Sequence, residues 1–172
     1  MKLKKRMLCL ILVFAVLAVI PVKVNAISEE DVKAPAAILV EPKTGKVLYE
    51  KNSHEKRACA SITKVMTLLL VMEALDSGKI SLDDMVTASA HAASMGGSDI
   101  WLKEGETMTV DDLLKSTVIM SANDAAVALA EYLAGTEDDF VNLMNARAKE
   151  LGMNDTTFKN CHGIDEDGHL TS

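Results

Sequence analysis

The residues best suited to chemistry lie in the segment 60–67, where a serine and a lysine are three positions apart. On a helix, Ser61 and Lys64 would lie on one face, one turn from each other. A serine hydroxyl can act as a nucleophile and a lysine amine as its base. The spacing therefore predicts a nucleophile and base pair. The alternative is that this short pattern is a chance occurrence on an ordinary helix.

The residues that follow Lys64 favour the catalytic interpretation. Residues 68–75 are apolar on nearly all sides of a helix, which predicts a helix buried within a domain. Burial disfavours an ammonium ion and would lower the pKa of Lys64, as a base at neutral pH requires. If Ser61 opens this helix, its backbone N–H and the helix dipole would also favour negative charge beside it.

A second candidate site is the tripeptide Ser121-Ala122-Asn123, which separates two predicted helices. The Ser121 hydroxyl could relay a proton, and the Asn123 carboxamide could hold a peptide carbonyl or orient a lysine. The alternative is a short turn between helices in which Asn123 serves as an N-cap. The tripeptide alone does not decide between them.

The remaining pattern predicts a hairpin followed by a helical region. Two strands at 36–41 and 46–50 flank a Pro-Lys-Thr-Gly turn. Residues 81–95 are predicted to be connecting structure. Three further helices are predicted at 109–118, at about 124–134 and from a cap at Thr136 up to Gly152. The elements are helix-rich and include too few strands for a complete sheet.

The first 26 residues predict a secretory signal peptide. Basic residues 2–6 precede an apolar run of 16 residues at 7–22, and small residues end at Ala26. This run is shorter than the roughly 20 residues that span a bilayer, so an uncleaved anchor is the alternative. Cleavage after Ala26 would leave residues 27–172 as one extracytoplasmic domain.

Composition limits the partners. Of the 18 basic residues, five lie in the signal peptide, which leaves 13 against 25 acidic residues and a net charge of −12. An acidic surface argues against nucleic acid as a partner. The cysteines and histidines match no common zinc spacing, and the acids 165–167 lack the full calcium-loop pattern, so we expect no metal and no cofactor. The sequence leaves open whether Cys59 and Cys161 form a disulfide.

The sequence resembles the serine D-alanyl-D-alanine carboxypeptidases, the low-molecular-mass penicillin-binding proteins. Ser61/Lys64 and Ser121/Asn123, which begin 60 residues apart, resemble the first two motifs of that family in their order. The similarity covers essentially the whole of 27–172. It includes Ala37 to Val40, Thr44-Gly45, Val47 to Asn52, Gly96 to Ser98, Leu102, Gly105-Glu106, Leu113-Leu114, Asp124-Ala125, Met144-Asn145, Leu151 to Met153, Thr157-Phe158 and His162-Gly163.

The resemblance implies an α+β fold of the β-lactamase and penicillin-binding-protein transpeptidase type. The family's third motif, Lys-Thr-Gly, does not follow the second one here, so we expect an N-terminal portion that lacks the C-terminal half of the sheet. Lys43-Thr44-Gly45 precedes the nucleophile and is interpreted as part of the hairpin turn. We expect this fragment to be inactive alone, and the sequence leaves membrane anchoring open.

The implied activity is removal of the terminal D-alanine from peptidoglycan stem peptides that end in D-Ala-D-Ala. Ser61 would be the nucleophile, Lys64 the general base, Ser121 a proton relay and Asn123 a substrate-binding residue. β-Lactams would acylate the same serine. A class A β-lactamase is one alternative, but Ala122 replaces its usual aspartate and no Glu-x-x-Leu-Asn loop occurs. A non-catalytic homologue that binds cell-wall peptides is the other.

Overall fold

The computed structural model of the protein describes residues 31–172. The predicted signal peptide at 1–26 lies outside the described residues. In residues 31–172, helices are combined with two small antiparallel sheets, each of two strands, so the predicted α+β class is confirmed. Within the same range, no helix is long and apolar enough to cross a membrane.

The opening hairpin was predicted correctly. Strand β1 (Ala37–Val40) pairs antiparallel with β2 (Val47–Lys51), and the register shifts between Leu39 and Val40. The Glu41 carboxylate accepts hydrogen bonds from the backbone N–H groups of Lys43 at 3.0 Å and Thr44 at 2.8 Å. Gly45 has a positive φ of 71°, which suits glycine at the end of a turn. Local turn chemistry therefore accounts for the Lys-Thr-Gly at 43–45.

The segment that carries Ser61 begins as a tighter helix than expected. A 3₁₀ turn (Ala60–Thr63) precedes helix α1 (Lys64–Asp76), so Ser61 lies in the turn and does not open the α-helix itself. Ala60, directly before Ser61, has a left-handed φ of 47°. The chain therefore bends sharply just before Ser61, where the 3₁₀ turn begins.

Helix α1 is buried on one side only, which corrects the expectation of an entirely buried helix. Met66, Thr67, Val71 and Ala74 are buried with Lys64, whereas Val65 is 66% exposed. Because the segment is apolar at nearly every position, its sequence carries no periodicity from which the buried face could be chosen.

The interpretation of 81–95 as connecting structure was wrong. It contains strand β3 (Met85–Thr87), which pairs antiparallel with β4 (Thr107–Thr109), and the short helix α2 (Ala90–Ala93). A Ser89 side-chain oxygen accepts from Ala92 N–H and caps α2. Elements of three or four residues are too short to show a hydrophobic period. Whether they form depends on contacts with segments distant in the chain.

Three longer helices follow, close to their predicted bounds: α3 (Val110–Ile119), α4 (Asn123–Ala134) and α5 (Glu137–Glu150). The predicted caps are present, because Thr109 and Thr136 side-chain oxygens accept from Asp112 N–H and Asp139 N–H. Helix α4 is buried along residues 123–130, and it packs against α1, α2, α3 and α5. It is the central helix of the unit Ser53–Ser172.

Candidate active site

The side chain of Lys64 is the centre of the candidate site. It is 3% exposed and lies at the start of α1. Its Nζ is 2.7 Å from Asn123 Oδ1, 2.7 Å from the backbone carbonyl oxygen of His162 and 3.4 Å from Ser61 Oγ. The predicted residues Ser61, Lys64 and Asn123 therefore meet in one place, although 59 residues separate Lys64 from Asn123.

Burial lowers the pKa of Lys64 below its ordinary value, and a smaller effect of Cys161 opposes this. The three hydrogen-bond partners of Nζ are an amide oxygen, a backbone carbonyl oxygen and a hydroxyl, all of them neutral. Neutral partners hold an amine in place without the strong preference for the charged form that a carboxylate would give. Burial therefore shifts Lys64 toward its neutral form, and none of these three partners is an anion that would reverse the shift.

Asn123 is held in a fixed orientation by the loop before α3. Its Nδ2 donates to the Gly96 carbonyl oxygen at 2.7 Å, and its backbone N–H donates to the Ser98 carbonyl oxygen at 2.7 Å. With Nδ2 engaged in this way, Oδ1 faces Lys64. The N-cap of α4 is Ala122, so the alternative in which Asn123 only caps the helix is wrong.

Ser121 occupies the loop between α3 and α4, two residues before Asn123. Its φ is 56°, a left-handed value that is uncommon outside glycine and that occurs often at functional sites. Its hydroxyl forms no hydrogen bond with any side chain in the part of the chain that the structure describes. Ser121 therefore lies two residues before Asn123 in the chain, and its hydroxyl is not hydrogen-bonded to Lys64.

Asp124 fixes the loop that carries Trp101, a contact that the sequence did not predict. Its carboxylate is 2% exposed and accepts from Ile100 N–H at 3.1 Å and from Leu102 N–H at 3.0 Å. Between these two residues, Trp101 takes a left-handed φ of 59° and is largely exposed. Asn123 and Asp124 together hold residues 96–102 against the start of α4.

The loop at 160–164 supplies the other wall of the site. Asn160 Oδ1 accepts from Gly163 N–H at 2.7 Å, and Asn160 Nδ2 donates to the Ile164 carbonyl oxygen at 2.9 Å. This cross-linked loop presents the His162 carbonyl oxygen to Lys64. Burial lowers the pKa of His162, so the imidazole is neutral at neutral pH, and its Nδ1 accepts from Ile164 N–H.

Gly163 brings that loop against the turn that carries Ser61. Its φ is 92°, and a Cβ built on it would overlap the Ala60 carbonyl group and lie 3.0 Å from Ser61 N. Only a residue without a side chain fits between these two backbone segments. The resemblance pointed to His162-Gly163, but the reason for the glycine is visible only in the fold.

We expect Gly163→Ala to destabilise the protein because the new methyl group meets backbone atoms that cannot rotate away. Gly152 is the matched control, since its φ of 75° imposes similar strain while its Cβ position is open. Overpacking should make Gly163→Ala costlier than Gly152→Ala by about 1–3 kcal/mol. Urea unfolding of both variants measures the difference. Equal losses in the two variants would show that the contact between Gly163 and Ala60 is not tight.

Within residues 31–172, the cysteines and the acidic residues form neither a disulfide nor a metal-binding group. Cys59 and Cys161 are both free thiols in this structure, so no disulfide joins them here. Burial raises the pKa of the Cys161 thiol well above its ordinary value, so it is not a thiolate. Across residues 31–172, no three His, Cys, Asp or Glu side chains come together as a metal-binding group.

Comparison with solved structures defines the class of fold. The D-alanyl-D-alanine carboxypeptidase DacD from Francisella tularensis matches with a TM-score of 0.82 and 38% identity over 90% of this chain and 36% of its own. Penicillin-binding protein D2 from Listeria monocytogenes, solved in an ampicillin-bound form, matches with a TM-score of 0.71 and 35% identity over 81% of this chain and 56% of its own. The fold is that of the penicillin-binding proteins.

The family follows from the sequence. Residues 23–172 match the peptidase S11 family model, described as D-alanyl-D-alanine carboxypeptidase. The carboxypeptidase DacF from Bacillus subtilis is 57% identical over 140 residues, which are 81% of this chain and 36% of that protein. This chain belongs to the D-alanyl-D-alanine carboxypeptidase family. It spans a little over a third of the length of two curated relatives, 36% of DacF and 39% of the Escherichia coli DacC.

Proposed function

We propose that the protein to which these residues belong is a serine-type D-Ala-D-Ala carboxypeptidase that acts on peptidoglycan stem peptides. The observation that carries the proposal is the contact of a buried Lys64 amine with Ser61 Oγ and Asn123 Oδ1. A desolvated lysine beside a serine hydroxyl meets the geometric and electrostatic requirements of a base and its nucleophile. The carboxypeptidase family supports the choice of substrate.

In the proposed reaction, the neutral Lys64 amine takes the proton of Ser61 as Oγ attacks the carbonyl carbon between the two D-alanines. The bond between that carbon and the terminal D-alanine nitrogen breaks, and the nitrogen receives a proton relayed through Ser121. Asn123 orients the lysine and the substrate amide. Water then attacks the acyl-enzyme, releases the shortened peptide and restores the Ser61 hydroxyl.

The proposed partners are the stem peptide and β-lactams, which would acylate Ser61 in the same way. The ampicillin-bound form of the similar Listeria protein supports the second of these. No cofactor enters the proposed reaction, because the amine and hydroxyl supply the base and the nucleophile.

Export is proposed from the signal-peptide pattern at 1–26, and residues 27–172 are proposed to form the N-terminal part of the catalytic domain. We expect the mature protein to begin at Ile27, since signal peptidases cleave after small residues such as Ala26. N-terminal sequencing or mass spectrometry of the protein from the cell envelope measures this. A mature protein that still carries Met1 and the apolar run would indicate an uncleaved anchor instead.

Residues 27–172 expressed alone are expected to release no measurable D-alanine. In the family pattern, a strand with a Lys-Thr-Gly motif after the second motif supplies one of two N–H donors to the oxyanion, and residues 124–172 contain no Lys-Thr-Gly. Loss of one such donor costs roughly 10²–10³ in rate. Detection of released D-alanine by a coupled oxidase assay measures this. Robust release that disappears in Ser61→Ala would show that the third motif is dispensable.

The test of the proposed function uses the whole protein as its gene encodes it. D-Alanine release from a pentapeptide ending in D-Ala-D-Ala is measured beside the turnover of a chromogenic cephalosporin. Release of D-alanine with slow cephalosporin turnover supports the carboxypeptidase. Fast cephalosporin turnover alone would indicate a β-lactamase, which Ala122 disfavours because a buried methyl group stands where that class usually has an aspartate. Peptide binding without either reaction would indicate a non-catalytic homologue.

A further inference from the structure

The carboxylate of Glu137 lies behind the candidate site and bonds to two separate segments of the chain. It belongs to the first residue of α5 and its side chain is 13% exposed. Oε1 accepts from Cys161 N–H at 2.9 Å, and Oε2 is 2.7 Å from His91 Nε2 of α2. The His162 Nε2 atom lies 3.5 Å from Oε1. Glu137 thus connects α2, α5 and the loop at 160–164.

Glu137 is a stable acceptor for that loop. Burial alone would raise the pKa of its carboxyl group, but hydrogen bonds from Cys161 N–H and His91 outweigh burial and place the pKa below its usual value. The positive end of the α5 dipole also favours a carboxylate at this position. An ionised carboxylate only accepts hydrogen bonds, so both of its oxygens remain available to the loop and to His91.

The peptide group of Cys161 is held from both sides. Its N–H donates to Glu137, and its carbonyl oxygen accepts from Thr67 Oγ1 of α1 at 2.6 Å. The next carbonyl along the chain is that of His162, which accepts from Lys64 Nζ at 2.7 Å. The position of this second carbonyl therefore depends on how firmly the preceding peptide is fixed.

We propose that Glu137 is a positioning residue for Lys64, which acts by fixing the Cys161 peptide so that the His162 carbonyl oxygen holds the lysine amine beside Ser61. This inference rests on the proposed function, in which Lys64 is the base. In this inference, the loop is positioned by an oxygen acceptor at the right distance from the α5 backbone. The negative charge of the Glu137 side chain matters less.

Two substitutions separate reach from charge. Glu137→Gln keeps the length and an amide oxygen but removes the charge, whereas Glu137→Asp keeps the charge and is one methylene shorter. Both residues are tolerated in the first turn of a helix, so both variants should fold. Using the whole protein and a fluorescent penicillin, we expect Glu137→Gln to acylate within about threefold of the wild type. Glu137→Asp should acylate at least about tenfold more slowly, with unchanged non-covalent affinity, because small misplacements of a base are costly.

The matched control is Asp139→Ala. It removes a carboxylate from the same turn of α5. The Asp139 carboxylate accepts a hydrogen bond from the Thr136 hydroxyl of the helix cap, so the substitution weakens the helix end and removes no hydrogen bond that the structure shows to the loop at 160–164. We expect this variant to acylate at the wild-type rate. Acylation by Glu137→Asp at the wild-type rate, or an equal slowing in Glu137→Gln and Glu137→Asp, would overturn the inference.

Amide hydrogen exchange at 160–164 provides a readout that does not need activity. The Cys161 N–H should exchange faster in Glu137→Asp than in the wild type and should be unchanged in Glu137→Gln. Equal exchange in all three proteins would also overturn the inference. A wild-type protein that is not acylated would count against the proposed function alone, since the exchange pattern would still decide whether Glu137 fixes the loop.

Discussion

Ser61→Ala is expected to abolish covalent labelling of the whole protein by a fluorescent penicillin. The Ser61 hydroxyl lies 3.4 Å from Lys64 Nζ, and a methyl group in its place can form no acyl bond. Gel fluorescence measures the labelling, and mass spectrometry of the digested wild-type adduct should place the penicilloyl group on Ser61. Release of D-alanine should fall to the background in the same variant.

Ser77→Ala is the matched control for the serine. Ser77 lies at the other end of α1, where its hydroxyl donates to the Ala74 carbonyl oxygen, and it has no contact with Lys64. We expect this variant to be labelled as fast as the wild type. Labelling that survives Ser61→Ala, or an adduct mapped to another serine, would remove Ser61 as the nucleophile.

The parts of the fold that the sequence predicted are those encoded by local chemistry. The hairpin follows from two short apolar runs around a turn, and Thr109 and Thr136 mark helix starts because a threonine oxygen satisfies a free N–H there. Gly135 ends α4 with a positive φ of 90°. Each of these signals lies within a few residues of the structure that it specifies.

The parts that were missed depend on partners distant in the chain. The Lys64 amine is held by the His162 carbonyl oxygen, and every residue has such a carbonyl, so the sequence carries no mark of this contact. Asp124 likewise looks like an ordinary first-turn acid of a helix, although its carboxylate holds the loop around Trp101. Only the packing of α4 against that loop reveals its role.

The sequence indicated that Lys64 would lie near Ser61 and Asn123, but it did not indicate what surrounds them. Spacing alone placed Lys64 one turn from Ser61, and the order of motifs indicated Asn123. The sequence could not show that Asn123 is oriented by Gly96, because that contact joins a side chain to a loop 27 residues away. It also could not place Ser121, whose left-handed φ follows from the tight connection between α3 and α4.

Lys64→Ala is expected to slow acylation of Ser61 by about 10²–10⁴, the range for loss of a general base. In the wild type, burial lowers the pKa of Lys64, and only the neutral amine can accept the serine proton. The acylation rate should therefore rise with pH as the amine deprotonates, and it should level off above the lowered pKa. In Lys64→Ala this rise should disappear. Stopped-flow labelling with a fluorescent penicillin across the pH range measures both effects.

Lys115→Ala is the control for the removal of a lysine. Lys115 is exposed and pairs with Asp111, and its pKa is raised by that hydrogen bond, so it stays charged while Lys64 titrates. We expect its acylation rate and pH profile to match the wild type.

Lys64→Met tests the effect of the cavity, because methionine refills most of the volume without an amine, and it should be as slow as Lys64→Ala. Recovery of the rate in Lys64→Met would mean that Lys64 acts by packing, and the assignment of Lys64 as the base would be lost.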